Sequence, residues 1–529
     1  MISWRKPGTI APENPAYSLL IIGNVFLTTF LAVLSAVATI IADNTIQGDL
    51  ALSDPKTTWL TTLYLLGANT TVLGANWFAD RFGYKTMYAF GVILFTLASG
   101  FAGIAENFAT IATARVLEGI GAGFIFPIGL ATIVRTLSPK RLPLGLILYI
   151  GASFGAGFAL GLPLAGYLAQ FMSWRLIFLS ILPVGFAGIV SCWLVHEETE
   201  RTIFSKFDLC GFLSFALFIA SLLVALTYGP LRSTDGGWRS PYILGLFALA
   251  ALSLLSTIIC ERRHPDPIIP LKLFKDPMFA VATMAMFLLG MSAFASVATM
   301  MQYMINGLAY EKYVSGKIGI IYGISLFCFS ILGNAIIKKI PVPCLTFLGL
   351  SILVYSYFLN NELNWLTGPD QIFWILFLRG VGLGLSLGPT TIQAMRHVPK
   401  DLVSKGATLL TFFRQVGGTY GGTLIAIVTI KRQIFHAARF GEQANAQLPA
   451  YQVTFTKIFN QFYSNTSGGA TQAKGAIVKN ILDQSYIQAI NDAMIVFGYV
   501  TGAVALVLVV LNLRNWWKQR KATSHKVEV

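Results

Sequence analysis

Hydrophobic and polar positions alternate along this chain on a long wavelength, with apolar runs separated by polar links from end to end. Fourteen runs can be counted, over 17–42, 57–79, 86–105, 108–134, 142–170, 176–195, 208–228, 241–260, 279–299, 317–337, 343–359, 372–395, 407–430 and 490–513. A helix rises about 1.5 Å per residue, so a run of about 20 residues crosses roughly 30 Å of hydrocarbon. The pattern predicts an all-α polytopic membrane protein with fourteen spans. Arg5 and Lys6 precede the first run, which is too long for a signal-peptide core of about 7–15 residues and is read as a retained span. One link is long. Residues 431–489 are polar, are expected to be part helix and part flexible, and contain the Asn465-Thr466-Ser467 acceptor sequence, which matters only in a glycosylating host.

Composition agrees. Of 529 residues, 55% are hydrophobic and 12% charged, about half the charge of a soluble domain. The net charge of +15 would suit nucleic acid if the bases formed one patch. They fall instead in alternate links: Arg81 and Lys85; Arg135, Lys140 and Arg141; Arg262, Arg263, Lys272 and Lys275; Lys338 and Lys339; Arg396, Lys400 and Lys405; and the tail from Arg514 to Lys521. Bases in every second link mark the cytoplasmic side. With an even number of spans, both termini are expected in the cytoplasm, and no nucleic-acid partner is expected. The membrane is read as the plasma membrane, or the inner membrane of a Gram-negative cell. The five cysteines (Cys192, Cys210, Cys260, Cys328 and Cys344) lie in or beside apolar runs and are read as forming no disulfide framework. Neither they nor the five scattered histidines have metal-ligand spacing. No cofactor is expected. Without a nucleophile–base or metal constellation, an enzyme is not expected either.

Charges inside the runs are the informative exceptions, since each costs roughly 2.5–3.5 kcal/mol at the bilayer centre on insertion scales. In "ARVLEGIGAGFIFPIG", Arg115 and Glu118 are one helical turn apart. The triplet Gly119, Gly121, Gly123 followed by Pro127 has a counterpart in Gly380, Gly382, Gly384 followed by Pro389. Such self-similarity marks transporters built from repeats, and it sets Glu118 opposite Arg379 across a central cavity. A fixed Arg115–Glu118 pair within one helix is the plainer alternative.

Several segments carry a resemblance. "WFADRFGYK" (Trp77–Lys85) resembles the gating loop of the major facilitator superfamily, with Asp80, Arg81, Gly83 and Lys85 in a tight turn. "RVLEGIGAG", "SWRLIFLSILPVG", "GGWRSP", "HPDPIIPLKLF", "LRGVGLGLSLGP" and "RQVGG" narrow it to the fourteen-span drug:proton antiporter branch. The resemblance implies an N-terminal six-helix bundle over 1–207 and two additional central helices with flanking loops over 208–277. A C-terminal six-helix bundle over 278–513, including 431–489, and a basic cytoplasmic tail over 514–529 complete the chain. It further implies proton-coupled efflux of amphipathic small molecules, drug-like or a secreted metabolite or siderophore, by alternating access. Its partners would be that substrate, protons, the lipid bilayer and a periplasmic adaptor. No GxxxxGK[ST] loop is found, so the chain is not its own ATPase.

By the same resemblance, Gly157, Gly161, Pro163 and Gly166 form an antiporter-like motif in span five, and Arg414, Gln415, Gly417 and Gly418 a motif in span thirteen. Four positions depart from the branch pattern. Ser35 stands where span one usually has an acid, leaving Asp43 as its nearest carboxylate; Asn76 and Leu162 replace glycines; Glu118 replaces a frequent glutamine. Glu118 is therefore expected to serve as Arg115's partner and as proton carrier, within a charge network of Glu118, Arg115, Arg379 and Asp43. Arg115, Arg379 and Arg414 favour neutral or anionic substrates, with Phe124, Phe126, Phe154 and Phe158 as candidate pocket residues. Uptake or facilitated exchange is the alternative function, and a non-transporting receptor a more distant one.

Overall fold

The computed structural model describes residues 15–527, apart from 53, 139–140, 197–206, 232–236, 266, 338, 397, 400–401, 444–448 and 461–468. Every regular element among the described residues is helical. The first six long helices are α1 (Pro15–Asp49), α2 (Asp54–Phe82), α3 (Tyr84–Gly103), α4 (Phe108–Thr136), α5 (Ser153–Phe171) and α6 (Ile181–Val195). Then come α7 (Leu209–Leu231), α8 (Pro241–Arg263), α9 (Pro277–Met291), α10 (Lys312–Ile337), α11 (Val342–Phe358), α12 (Pro369–Met395), α13 (Val403–Gln443) and α14 (Gly469–Val527).

Each of the fourteen apolar runs coincides with helix. Among the described residues, twelve helices are long and apolar enough to cross a membrane. The remaining two runs lie in α2 and α13, which carry buried polar residues such as Asn69, Asn76, Arg414 and Gln415. These two helices face each other along one of the two seams between the halves, and polar side chains make contacts across it.

Helices α1 to α6 pack on one another, as do α9 to α14. The halves meet along two seams, α5 against α10 and α2 against α13. Helix α7 lies beside the second seam, where Tyr420 donates to the Ile219 carbonyl at 2.9 Å, and α8 packs on α7.

Two runs contain π-helical turns. The fifth begins with Leu142–Ile147 and a π-helical turn, Leu148–Ala152, before α5. The ninth continues from α9 through π-helical turns at Ser292–Ser296 and Tyr303–Gly307. In 431–489, expected to be part helix, helix occupies much of the length. α13 runs about 61 Å at 1.5 Å per residue, twice the thickness of the hydrocarbon, and α14 begins at Gly469, with a short helix Pro449–Ile458 between them. The extension is tied by Asp492, which accepts from Arg432 Nε at 2.6 Å and faces His436 Nε2 at 2.7 Å. The acceptor sequence at 465–467 lies outside the described residues. A correction concerns sulfur: Cys210 and Cys260 are bonded, their Cα atoms 6.1 Å apart, because antiparallel packing of α7 on α8 aligns the start of one with the end of the other. A separation of 50 residues concealed that neighbourhood.

Candidate functional site

Arg115 and Glu118 lie on one face of α4, fully buried, and Arg115 Nη1 donates to Glu118 Oε2 at 2.7 Å. Ser35 of α1 completes the pair: its hydroxyl donates to Glu118 Oε1 and accepts from Arg115 Nη1 at 3.2 Å. Arg115 Nε donates to the Leu60 carbonyl of α2 at 3.3 Å, and the guanidinium lies 4.4 Å from the Tyr64 ring centre and 5.7 Å from that of Phe178. Tyr64 donates to the Ala32 carbonyl at 3.1 Å. The carboxylate is thus held by charge and by a hydroxyl, and the cluster joins α1, α2 and α4. Asp43 is about 12 Å further along α1 than Ser35, whose hydroxyl touches the pair.

The expected meeting of Glu118 and Arg379 is not what the structure contains. Both lie about 15 Å along their helices from the end opposite the basic links, yet each stays inside its own half. Arg379 Nη1 donates to the Ser296 carbonyl at 3.3 Å, and the guanidinium lies 5.0 Å from the Tyr357 ring. Glu118 instead keeps the partner one turn away, because an i,i+3 pair needs no other helix to bring it together. Arg414 is buried about 17 Å along α13, with its guanidinium 4.2 Å from the Phe154 ring of α5 and facing Tyr149. Between the two arginines runs an aromatic chain. Phe154 to Phe294 is 6.0 Å, Phe294 to Phe158 is 5.6 Å and Phe158 to Tyr322 is 5.0 Å, crossing from α5 to the α9 turn and α10. Phe126 joins it at 6.0 Å from Phe154, whereas Phe124 packs on Phe78 and Phe90 away from this cluster.

The α2–α3 corner turns at Gly83, whose φ of 101° lies in the left-handed region that favours glycine. Asp80 pairs with Arg135 at the end of α4 (3.3 Å) and accepts from Tyr84 at 2.8 Å, while Arg135 stacks 3.9 Å from the Tyr84 ring. Arg81 is exposed, and Lys85 donates to the Trp193 carbonyl of α6 at 3.0 Å. At the opposite face, Asp49 at the end of α1 accepts from Arg175 and from Trp174 Nε1 (2.9 Å). There the halves are bridged by Gln170 to Glu311 at 2.8 Å, the Tyr313 amide to Gln170 at 2.9 Å and Lys312 to Thr45. Along the other seam, Asn69 donates to Thr419 at 2.8 Å and Asn76 to Thr408. Asn76, at a position where the resemblance expects glycine, is therefore a contact between halves.

The glycine triplets are packing devices with matched geometry. A Cβ at Gly119 would collide with the Tyr64 carbonyl, and at Gly123 it would lie 2.8 Å from the Ala68 carbonyl, both in α2; at Gly121 it would lie 2.6 Å from Phe95 N in α3. In the second half, Gly380 and Gly384 face α10 and Gly382 faces α11. Gly157 and Gly161 rest on α1, and Gly166 faces Lys312 of α10. Leu162 beside Pro163 is accommodated by its partner helix, since Gly319 leaves room for its side chain and Gly316 for its carbonyl. Gly417 sits against the Phe287 carbonyl and Gly418 against the Phe294 ring, while Gln415 is buried beside them. Sequence reasoning gave no role to Tyr149, Ser296, Tyr322, Tyr357, Trp174 or Arg175; the two π-helical turns that present Tyr149 and Ser296 leave no periodic signal.

The family model described as Major Facilitator Superfamily matches residues 25–422. The chain is 24% identical over 522 residues to "Uncharacterized MFS-type transporter YhcA" of Bacillus subtilis (strain 168), covering 98% of this chain and 96% of that one. It is 28% identical over 423 residues to "Multidrug transporter protein MdtP" of the same organism, covering 80% and 75%. Among solved structures, a POT family transporter in complex with 5-aminolevulinic acid superposes with a TM-score of 0.61 at 13% identity, covering 93% of this chain and 96% of that one. This last likeness concerns the fold alone.

Proposed function

The chain belongs to the major facilitator superfamily, and from that premise we propose that it exports amphipathic small molecules in exchange for protons, by alternating access between the two halves. The basic links face the cytoplasm in this reading. The observation that carries it is Glu118, a fully buried carboxylate whose partners are an arginine on its own helix and a hydroxyl on another. Arg115 and Ser35 together hold this carboxylate, so a change in either contact alters how α4 is held against α1. Protonation weakens the pair and loosens α4 from α1 and α2. Helix α2 carries Asn69 and Asn76, which bind the second half, so the change at Glu118 reaches the seam through α2. The naming of relatives such as MdtP as multidrug transporters supports drug-like substrates.

The test is intracellular accumulation of cationic, neutral and anionic amphiphiles in cells stripped of their own efflux pumps. The wild type is expected to lower accumulation of at least one compound, a protonophore to abolish the effect, and Glu118→Gln to abolish it at normal expression. Higher accumulation would indicate uptake instead, and a Glu118→Gln variant that behaves as wild type would remove the proton role.

A further inference from the structure

The C-terminal half contains buried positive charge, and among the described residues no carboxylate of that half pairs with it. Arg379 and Arg414 are 0% and 2% exposed, and among the described residues Nε and Nη2 of Arg379 and Nε and Nη1 of Arg414 have no hydrogen-bond partner. A buried guanidinium with unmet donors is costly, and π faces satisfy the charge only in part. The carboxylate nearest in depth, Glu118, is engaged by Arg115 and Ser35. The two arginines sit at the ends of the Phe154–Phe294–Phe158–Tyr322 chain, and each faces a group on a π-helical turn: Tyr149 in Leu148–Ala152 and Ser296 in Ser292–Ser296. Turns of this kind are rare and concentrate at functional sites.

Building on the export reading, we infer that the transported substrate is an anionic amphiphile, an aromatic carboxylate, read by Arg379 and Arg414. The planar fork of a guanidinium matches a carboxylate, and the aromatic chain matches a ring system. The site straddles the α5 seam, since Phe154 and Phe158 belong to one half and Phe294, Tyr322 and both arginines to the other. A bound anion therefore supplies contacts between halves that the protein's own residues leave unmade.

The test uses the purified full-length chain in nanodiscs and three probes: 4-(1-pyrenyl)butyrate, its amide and the matching trimethylammonium compound. Binding is read by energy transfer from tryptophan to pyrene, against protein-free nanodiscs. The carboxylate is expected to bind about ten-fold or more tightly than the amide, as charge-assisted hydrogen bonds imply. Arg379→Gln and Arg414→Gln bring that ratio toward one, and Arg379→Lys retains part of it; thermal melting identifies any variant that has not folded. Equal binding of carboxylate and amide by the wild type overturns the inference. So does a ratio that both glutamine variants preserve, or no carboxylate binding by a folded protein. A carboxylate preference in a protein that exports nothing would leave the anion site standing and remove the export reading alone.

Discussion

Ser35 has its hydroxyl between Arg115 and Glu118, and that single contact explains how a span-one position without an acid serves the buried pair. The Arg115–Glu118 contact itself was legible because both residues lie on one turn. The contacts of Arg379 were not, because Tyr357 and Ser296 come from other helices and a spacing rule reports nothing about them. His196 shows the same limit at the basic end of α6. It is buried against Tyr88, with ring centres 5.2 Å apart, and its Nε2 lies 3.0 Å from Asn24 Oδ1. Burial, reinforced by the nearby Lys85 charge, holds its pKa down to about 4, below the usual 6.5. The unfolded chain therefore binds a proton between those values that the folded chain does not. Stability contributed by neutral His196 is present above pH 6.5 and is lost as pH falls toward 4, by roughly 3 kcal/mol at most. Melting curves of the detergent-solubilised protein are expected to show this slope, and His196→Gln to flatten it.

Helices meet here through glycine, and the sequence showed where. The two triplets were legible as a repeat because close approach demands a missing Cβ at fixed intervals on a regular helix. Leu162 was harder to interpret from its own span, since the space it fills is provided by Gly319 of α10. Leu162→Ala should destabilise the protein by about 2–5 kcal/mol, the usual range for a buried leucine. Gly319→Ala added to it should restore part of that loss, because its methyl group would point into the emptied volume. A thermal double-mutant cycle checks the coupling; additive effects would mean the two residues do not share one packing site. The π-helical turns and the long α13–α14 extension escaped the hydropathy pattern for related reasons. A π turn shifts register by one residue without altering apolarity, and a polar helix looks like a loop when only hydrophobic runs are counted.

At the scale of the molecule, two similar bundles meet along α2–α13 and α5–α10, with the proton candidate in one half and two arginines in the other. The charge arithmetic connects them. One charge crossing 100 mV supplies about 2.3 kcal/mol, and about 1.4 kcal/mol corresponds to a ten-fold concentration ratio. A proton moving inward and an anion moving outward both carry charge in the favourable direction, so an anionic substrate draws on the membrane potential twice. The halves and their seams were foreshadowed by the repeat and the charged links; the position of α7 beside α2 and α13 was not, because two insertions between bundles have no counterpart within the repeat. The most direct measurement of the central claim is internal pH in proteoliposomes holding the purified protein, recorded when substrate is added on one side. The account predicts substrate-driven proton movement that is absent in Glu118→Gln. Substrate flux without proton movement, or an unchanged proton signal in Glu118→Gln, would contradict it.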